Sequence, residues 1–208
     1  RVGDPRDAAT TMGPLVSRDQ LAEVGRAVAE LGRGAEVALG GPDRLELASG
    51  DPRRGAFFAP TVLAAQAPEA PELHTVEAFG PVTSVIGYRD AAHAVALAAL
   101  GRGSLVGSVV THDPGFARQV VAGVAPWHGR LLVLDRDDAG ESTGHGAPLP
   151  HLVHGGPGRA GGGEELGGIR AVLHHMQVTS VSASPATVTA VTGRWTTGAP
   201  TTGDAVHP

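Results

Sequence analysis

A chain of 208 residues that is 41% hydrophobic but only 3% aromatic can bury a core, and that core must be built from Ala, Val and Leu. A formal net charge of −5 argues against a nucleic-acid surface or an anionic-membrane surface. Cysteine is absent, which excludes disulfides and thiolate metal sites and leaves no thiol nucleophile. Asparagine is absent too, so there is no glycosylation sequon. With no long apolar run and no charged-then-apolar leader, the chain reads as soluble and cytoplasmic.

In chain order, Ser17-Arg18-Asp19-Gln20 is a capping box, with Ser17 covering an early backbone N–H and Gln20 reaching back. Leu21, Val24, Val28 and Leu31 follow on one helical face, and Gly32 and Gly34 end the helix. Residues 36–39 predict a short strand, Gly40-Gly41-Pro42 a turn, and residues 43–55 a polar loop. Residues 57–63 predict a strand interrupted by Pro60, which places it at a sheet edge or makes the proline a strand start. A helical turn is expected within residues 71–78, then a buried strand over the apolar run 82–88.

Asp90 caps a predicted helix through Leu100, stopped by Gly101-Arg102-Gly103. Residues 105–111 are nearly all apolar or small, the pattern of a strand buried on both faces. Asp113-Pro114 opens another helix, and residues 131–134 predict a further buried strand. This alternation implies an α/β fold with layered helices and sheet. Residues 136–163 read as a long Gly/Pro loop, and Glu164-Glu165 as the start of a helix through Met176. Residues 177–182 alternate as an exposed strand does, and the Thr/Ala/Gly/Pro content beyond Ser184 predicts a linker.

Three patterns invite stronger readings. Gly140-Glu141-Ser142-Thr143-Gly144 matches the nucleophile elbow of serine hydrolases, but it lacks an immediately preceding strand and a following helix, so Ser142 reads as a polar loop serine. Gly156-Pro157-Gly158-Arg159-Ala160-Gly161 matches a dinucleotide fingerprint, yet Pro157 interrupts the turn and no adequate strand precedes it. A tight loop lying against a neighbouring segment is the better reading. His145, His151, His154, His174 and His175 lack metal-ligand spacing and an acidic partner, so no metal is expected.

Val76-Glu77-Ala78-Phe79-Gly80-Pro81-Val82 carries the strongest signal. Side chains two apart in an extended segment point the same way, so Glu77 and Phe79 could face one ligand. The plain alternative is a surface glutamate and a core phenylalanine. The segment resembles the Glu-x-Phe-Gly-Pro motif of the aldehyde dehydrogenase superfamily. Gly3-Asp4-Pro5 with Met12-Gly13-Pro14-Leu15-Val16-Ser17, then Phe57-Phe58-Ala59-Pro60-Thr61-Val62-Leu63, then 104–112 and 130–135 resemble other family segments in the family's order. Residues 141–150 and 152–165 are similar to one branch, the bifunctional ring-opening enzyme of phenylacetate degradation, which joins a dehydrogenase domain to a hydratase.

The resemblance implies the C-terminal part of the three-layer α/β catalytic domain, over residues 1–183, ending in an oligomerisation strand at 177–182. Residues 184–208 would then be a linker toward a hydratase. It implies NAD or NADP as cofactor, with Glu77 on the nicotinamide ribose and Phe79 beside the nicotinamide. It implies a small aldehyde substrate, CoA-linked in this branch, with His145 and His154 in the substrate funnel, and a homo-oligomer at full length. In the family the catalytic cysteine lies upstream of a segment like Gly3-Asp4-Pro5, so the chain reads as a fragment, with no catalytic residue of its own and no dehydrogenase activity alone. An ordinary aldehyde dehydrogenase with another substrate, and a non-catalytic oligomerisation piece, are the alternatives.

Overall fold

The computed structural model describes residues 1–142, 144, 156–160, 172, 173 and 175–201. Two compact units divide at Tyr88 and Arg89.

In the first unit, helix α1 (Arg18–Leu31) begins where Ser17 Oγ accepts from the Gln20 N–H, as the capping box predicts. Its buried face is Val24, Val28 and Leu31, and Gly32 caps its end. Strand β1 (Ala35–Leu39) runs antiparallel to β2 (Thr61–Ala65). Helix α2 (Pro71–Thr75) leads into β3 (Val82–Val85), which is parallel to β2. The sheet order β1-β2-β3 puts β2 in the middle, not at an edge. Pro60 has no N–H to give a ladder, so β2 starts one residue later, where Thr61 N–H donates to Pro81 O at 2.9 Å.

Two apolar clusters hold this unit. Val24, Val28 and Phe58 form one, with Leu15, Leu21 and Val82 against it. Leu31, Ala35 and Leu63 form the other, flanked by Leu73, Val76, Ala78 and Val82. The run 82–88 is shorter as a strand than its hydropathy predicts, and it is not buried: Val85 and Tyr88 are more than half exposed. Only one side of β3 meets the cores.

In the second unit, α3 (Ala91–Leu100) is capped by the Asp90 carboxylate, which accepts from the His93 N–H at 2.8 Å. Strand β4 (Ser104–Val110), helix α4 (Pro114–Val124) and strand β5 (His128–Leu134) follow, with β4 and β5 parallel. Asp113 Oδ1 accepts from the N–H groups of Gly115 and Phe116, and Pro114 fills the first turn. Strand β6 (Ser180–Ser182) adds to β5 in parallel, giving the order β4-β5-β6.

The core joins Val109, Leu131 and Val133 of the sheet to Ala117, Val120, Val121 and Val124 of α4 and Ala91 of α3. Residues 131–134 are buried or nearly so, as predicted, but β4 is not: Leu105, Val106 and Val110 are exposed. The described helices cover one face of this sheet, and β4 is its terminal strand among the described residues.

Two expectations for the C-terminal part change. The predicted exposed strand 177–182 narrows to Ser180–Ser182 and pairs with β5 within the chain. Thr179 fixes that pairing, its hydroxyl donating to Ala125 O at 2.6 Å and to His128 O at 2.8 Å. Where composition predicts a linker beyond Ser184, helix α5 (Pro185–Thr192) forms, with Ser184 accepting from the Thr187 N–H and Gly193 closing it in the left-handed region at φ 69°. A serine cap and a first-turn proline outweigh the Thr-rich composition. The predicted helix 164–176 falls mostly outside the described residues.

Candidate functional site

The extended stretch after α2 carries the two residues the sequence singles out. Val76 and Ala78 pack against the Leu31–Ala35–Leu63 cluster, while Glu77 and Phe79 are exposed. This is the period-two alternation of an extended chain, so the carboxylate and the ring share the solvent side. Phe79 keeps 69% of its surface exposed, so it is not the core phenylalanine of the plain alternative.

The backbone here is pinned on several sides. Gly80 N–H donates to Ala78 O at 2.8 Å, and Val82 N–H to Gly80 O at 2.8 Å. Gly80 lies so near α1 that a Cβ on it would stand 2.7 Å from Val24 Cγ2. Gln20 Nε2 donates to Phe79 O at 2.6 Å. A cleft of about 370 Å³ opens beside this segment, with Met12, Leu15, Gln20, Phe58, Phe79 and Pro81 in its walls. The Met12–Leu15 stretch is held by Leu15 N–H donating to Ala56 O and by a bridge between Met12 and Val2.

This arrangement can bind a ligand with a hydroxylated part and a flat apolar part. A carboxylate accepts hydroxyl hydrogen bonds, and an exposed ring offers a stacking or edge contact. Sequence reasoning read Gln20 only as a helix cap. Its contact with Phe79 spans 59 positions and is visible only in the fold.

The other candidates separate clearly. His145 and His154 lie outside the described residues, as do His151 and His174. Among the described residues no group of three His, Asp or Glu is placed to hold a metal ion. Ser142 sits just after a run of turns and accepts from the Gly144 N–H at 3.1 Å, the geometry of a local loop. The loop Gly156-Pro157-Gly158 lies against the turn after α3, as the tight-loop reading expects. Arg159 N–H donates to Arg102 O at 3.1 Å. A Cβ on Gly158 would stand 2.0 Å from Arg102 O, and one on Gly103 2.0 Å from Pro157 O, so two glycines make this crossing possible. No helix among the described residues is long and apolar enough to cross a membrane.

The model of the aldehyde dehydrogenase family matches residues 1–181. The chain belongs to the aldehyde dehydrogenase family. It is 48% identical over 199 residues to Protein MaoC of Klebsiella aerogenes, covering 95% of this chain and 58% of that protein. It is 40% identical over 158 residues to 3,4-dehydroadipyl-CoA semialdehyde dehydrogenase of Aromatoleum evansii, covering 76% of this chain and 31% of that one. A double mutant of betaine aldehyde dehydrogenase from Staphylococcus aureus, solved in complex with NAD+, superposes with a TM-score of 0.60 at 28% identity, over 84% of this chain and 32% of that one. The chain therefore spans between about a third and three fifths of these relatives. As an aldehyde dehydrogenase segment it has the mixed α/β build, with parallel strand pairs in both units, that such a catalytic domain requires.

Proposed function

We propose that this chain forms the nicotinamide side of an NAD(P)-dependent aldehyde dehydrogenase that oxidises a CoA-linked semialdehyde in phenylacetate breakdown. One observation carries the reading: Glu77 and Phe79 are exposed on one side of the same stretch, Phe79 in the wall of a cleft, while Val76 and Ala78 anchor the stretch in the core. An exposed carboxylate and an exposed ring fit a ribose diol and a nicotinamide. NAD(P), when bound, supplies the hydride acceptor. Glu77 accepts the two ribose hydroxyls, and charge-assisted bonds of this kind are the stronger ones. Phe79 packs beside the nicotinamide and limits its tilt, which matters because hydride transfer depends on alignment. Met12, Leu15 and Phe58 give the cleft apolar walls for a flat apolar ring.

The 208 residues hold no cysteine, so the thiol for acyl transfer comes from another part of the protein. His145 and His154 line the substrate funnel, and the residues after α5 lead toward a hydratase, both on the strength of the branch resemblance. The name of the Aromatoleum evansii relative, with its CoA-linked semialdehyde, supports the substrate class. The assembled enzyme is a homo-oligomer.

The test is a chimera in which this chain replaces the matched residues of the Aromatoleum evansii enzyme, together with the isolated chain. The isolated chain reduces no cofactor with any aldehyde. The chimera reduces NAD+ or NADP+ with a CoA-linked semialdehyde, and Glu77→Gln raises its KM for the cofactor by about tenfold or more. A soluble chimera in which Glu77→Gln and Phe79→Ala leave kcat and that KM unchanged would refute the reading. A panel of free aldehydes separates this substrate class from that of an ordinary aldehyde dehydrogenase.

A further inference from the structure

We infer that Gln20 is a positioning residue for Phe79, acting through the Phe79 carbonyl. The inference rests on the nicotinamide-side reading of Glu77 and Phe79.

The Gln20 side chain uses both ends of its amide. Its Oε1 accepts from the Val16 N–H at 3.1 Å, which holds the chain entering α1. Its Nε2 donates to Phe79 O at 2.6 Å. The accepting half is the work of a capping residue, and a glutamate does it equally well. The donating half is closed to an ionised glutamate, which only accepts. The Phe79 contact therefore separates glutamine from glutamate at this position, where the cap does not.

Phe79 needs such a tie. Phe79 is 69% exposed, so packing alone does not fix it. The core holds Val76 and Ala78 before it, and Thr61 holds Pro81 after it through the Pro81 carbonyl. Between those anchors, two bonds orient the peptide plane joining Phe79 to Gly80: the Gly80 N–H donates back to Ala78 O, and Gln20 Nε2 donates to Phe79 O from outside the segment. That plane sets the direction in which the Phe79 side chain leaves the backbone. Val24, one turn further along α1, meets Gly80 closely and fixes the spacing. Gln20 and Phe79 are also walls of the same cleft, so any tilt of Phe79 reshapes the place where the nicotinamide docks.

The test uses the full 208-residue chain, isotope-labelled for NMR, with nicotinamide mononucleotide as the probe. Wild type is compared with Gln20→Glu, which keeps the acceptor and loses the donor, and with Gln20→Met, which loses both without adding charge. Three readouts are followed: the Phe79 carbonyl carbon shift, the probe-induced shifts of Glu77 and Phe79, and the melting temperature. The expected result is a moved Phe79 carbonyl shift in both variants, with probe affinity about fivefold weaker, the effect of one hydrogen bond. The Gln20→Glu melting temperature stays near wild type, because the cap is kept. If wild type binds the probe and both variants bind it equally well, Gln20 does not position Phe79 and the nicotinamide-side reading stands. If the probe shifts neither Glu77 nor Phe79 in wild type, the nicotinamide-side reading fails and takes this inference with it. A Gln20→Glu chain that loses its fold while Gln20→Met keeps both fold and affinity also overturns it.

Discussion

Asp135, just after β5, has a buried carboxylate that accepts from Ser184 Oγ at 2.7 Å, Thr187 Oγ1 at 2.5 Å and the Asp137 N–H at 2.8 Å, among others. Burial alone pushes its pKa up. The Thr187 and Ser184 hydroxyls, with the N–H groups of Asp137 and Asp138, more than offset this and hold it below the ordinary carboxylate value. The folded pKa therefore lies below the unfolded one of about 3.9, so the stabilisation is complete above that value and is lost as pH falls through the folded pKa. Asp135→Asn lowers stability at pH 7 by about 1–3 kcal/mol, because the hydroxyls lose a charged acceptor. Its melting temperature also falls less than that of wild type between pH 5 and pH 3, which thermal unfolding by circular dichroism measures. Ser184 and Thr187 lie 49 and 52 positions from Asp135, so no local pattern announces the network. Glu77 and Phe79 were readable for the opposite reason: their shared side follows from a spacing of two in an extended stretch. Gln20 was half readable, its capping role local and its bond to Phe79 not.

At the scale of elements, end signals were more dependable than composition. Ser17, Asp90 and Asp113 each cap the helix that their sequence positions predict. Ser184 and Pro185 are the same kind of start signal for α5, but the Thr/Ala/Gly/Pro content around them pointed to a linker. Proline cannot donate to a ladder, so the sequence places the strand containing Pro60 at an edge or makes the proline a strand start. Only the second holds, since Thr61 begins β2 between β1 and β3. The central place of β2 has an energetic consequence. Leu63 is fully buried and joins Leu31 and Ala35, so Leu63→Ala removes contacts on several sides and costs about 2–5 kcal/mol. Val16 is 91% exposed, and Val16→Ala shifts stability by less than about 0.5 kcal/mol. Urea unfolding of the two variants measures the difference, and similar midpoints would mean that β2 is not central.

For the molecule as a whole, the alternation of strands and helices was enough to give the α/β class, because the switch between a period of two and a period of 3.6 is written into each segment. Which faces are covered was not readable. The near-continuous apolar run of β4 predicts a strand covered on both sides. Val109, on one side, is buried with α3 and α4, while Val106 and Val110, on the other, are 36% and 76% exposed. The described residues thus supply one helical layer where the strand composition asks for two. β4 is also the terminal strand of its sheet among the described residues. Exposed apolar side chains such as Val106 and Val110 favour association, and a net charge of −5 on 208 residues opposes it only weakly. The chain in isolation therefore self-associates as its concentration rises, which sedimentation velocity detects. Replacing both Val106 and Val110 with lysine puts charge on the exposed side of β4 without touching Val109, Leu131 or Val133. This double variant sediments as a smaller species at the same concentration and keeps the wild-type circular dichroism spectrum. If its sedimentation matches wild type, association runs through another surface, and the exposed side of β4 is not the liability that its composition implies.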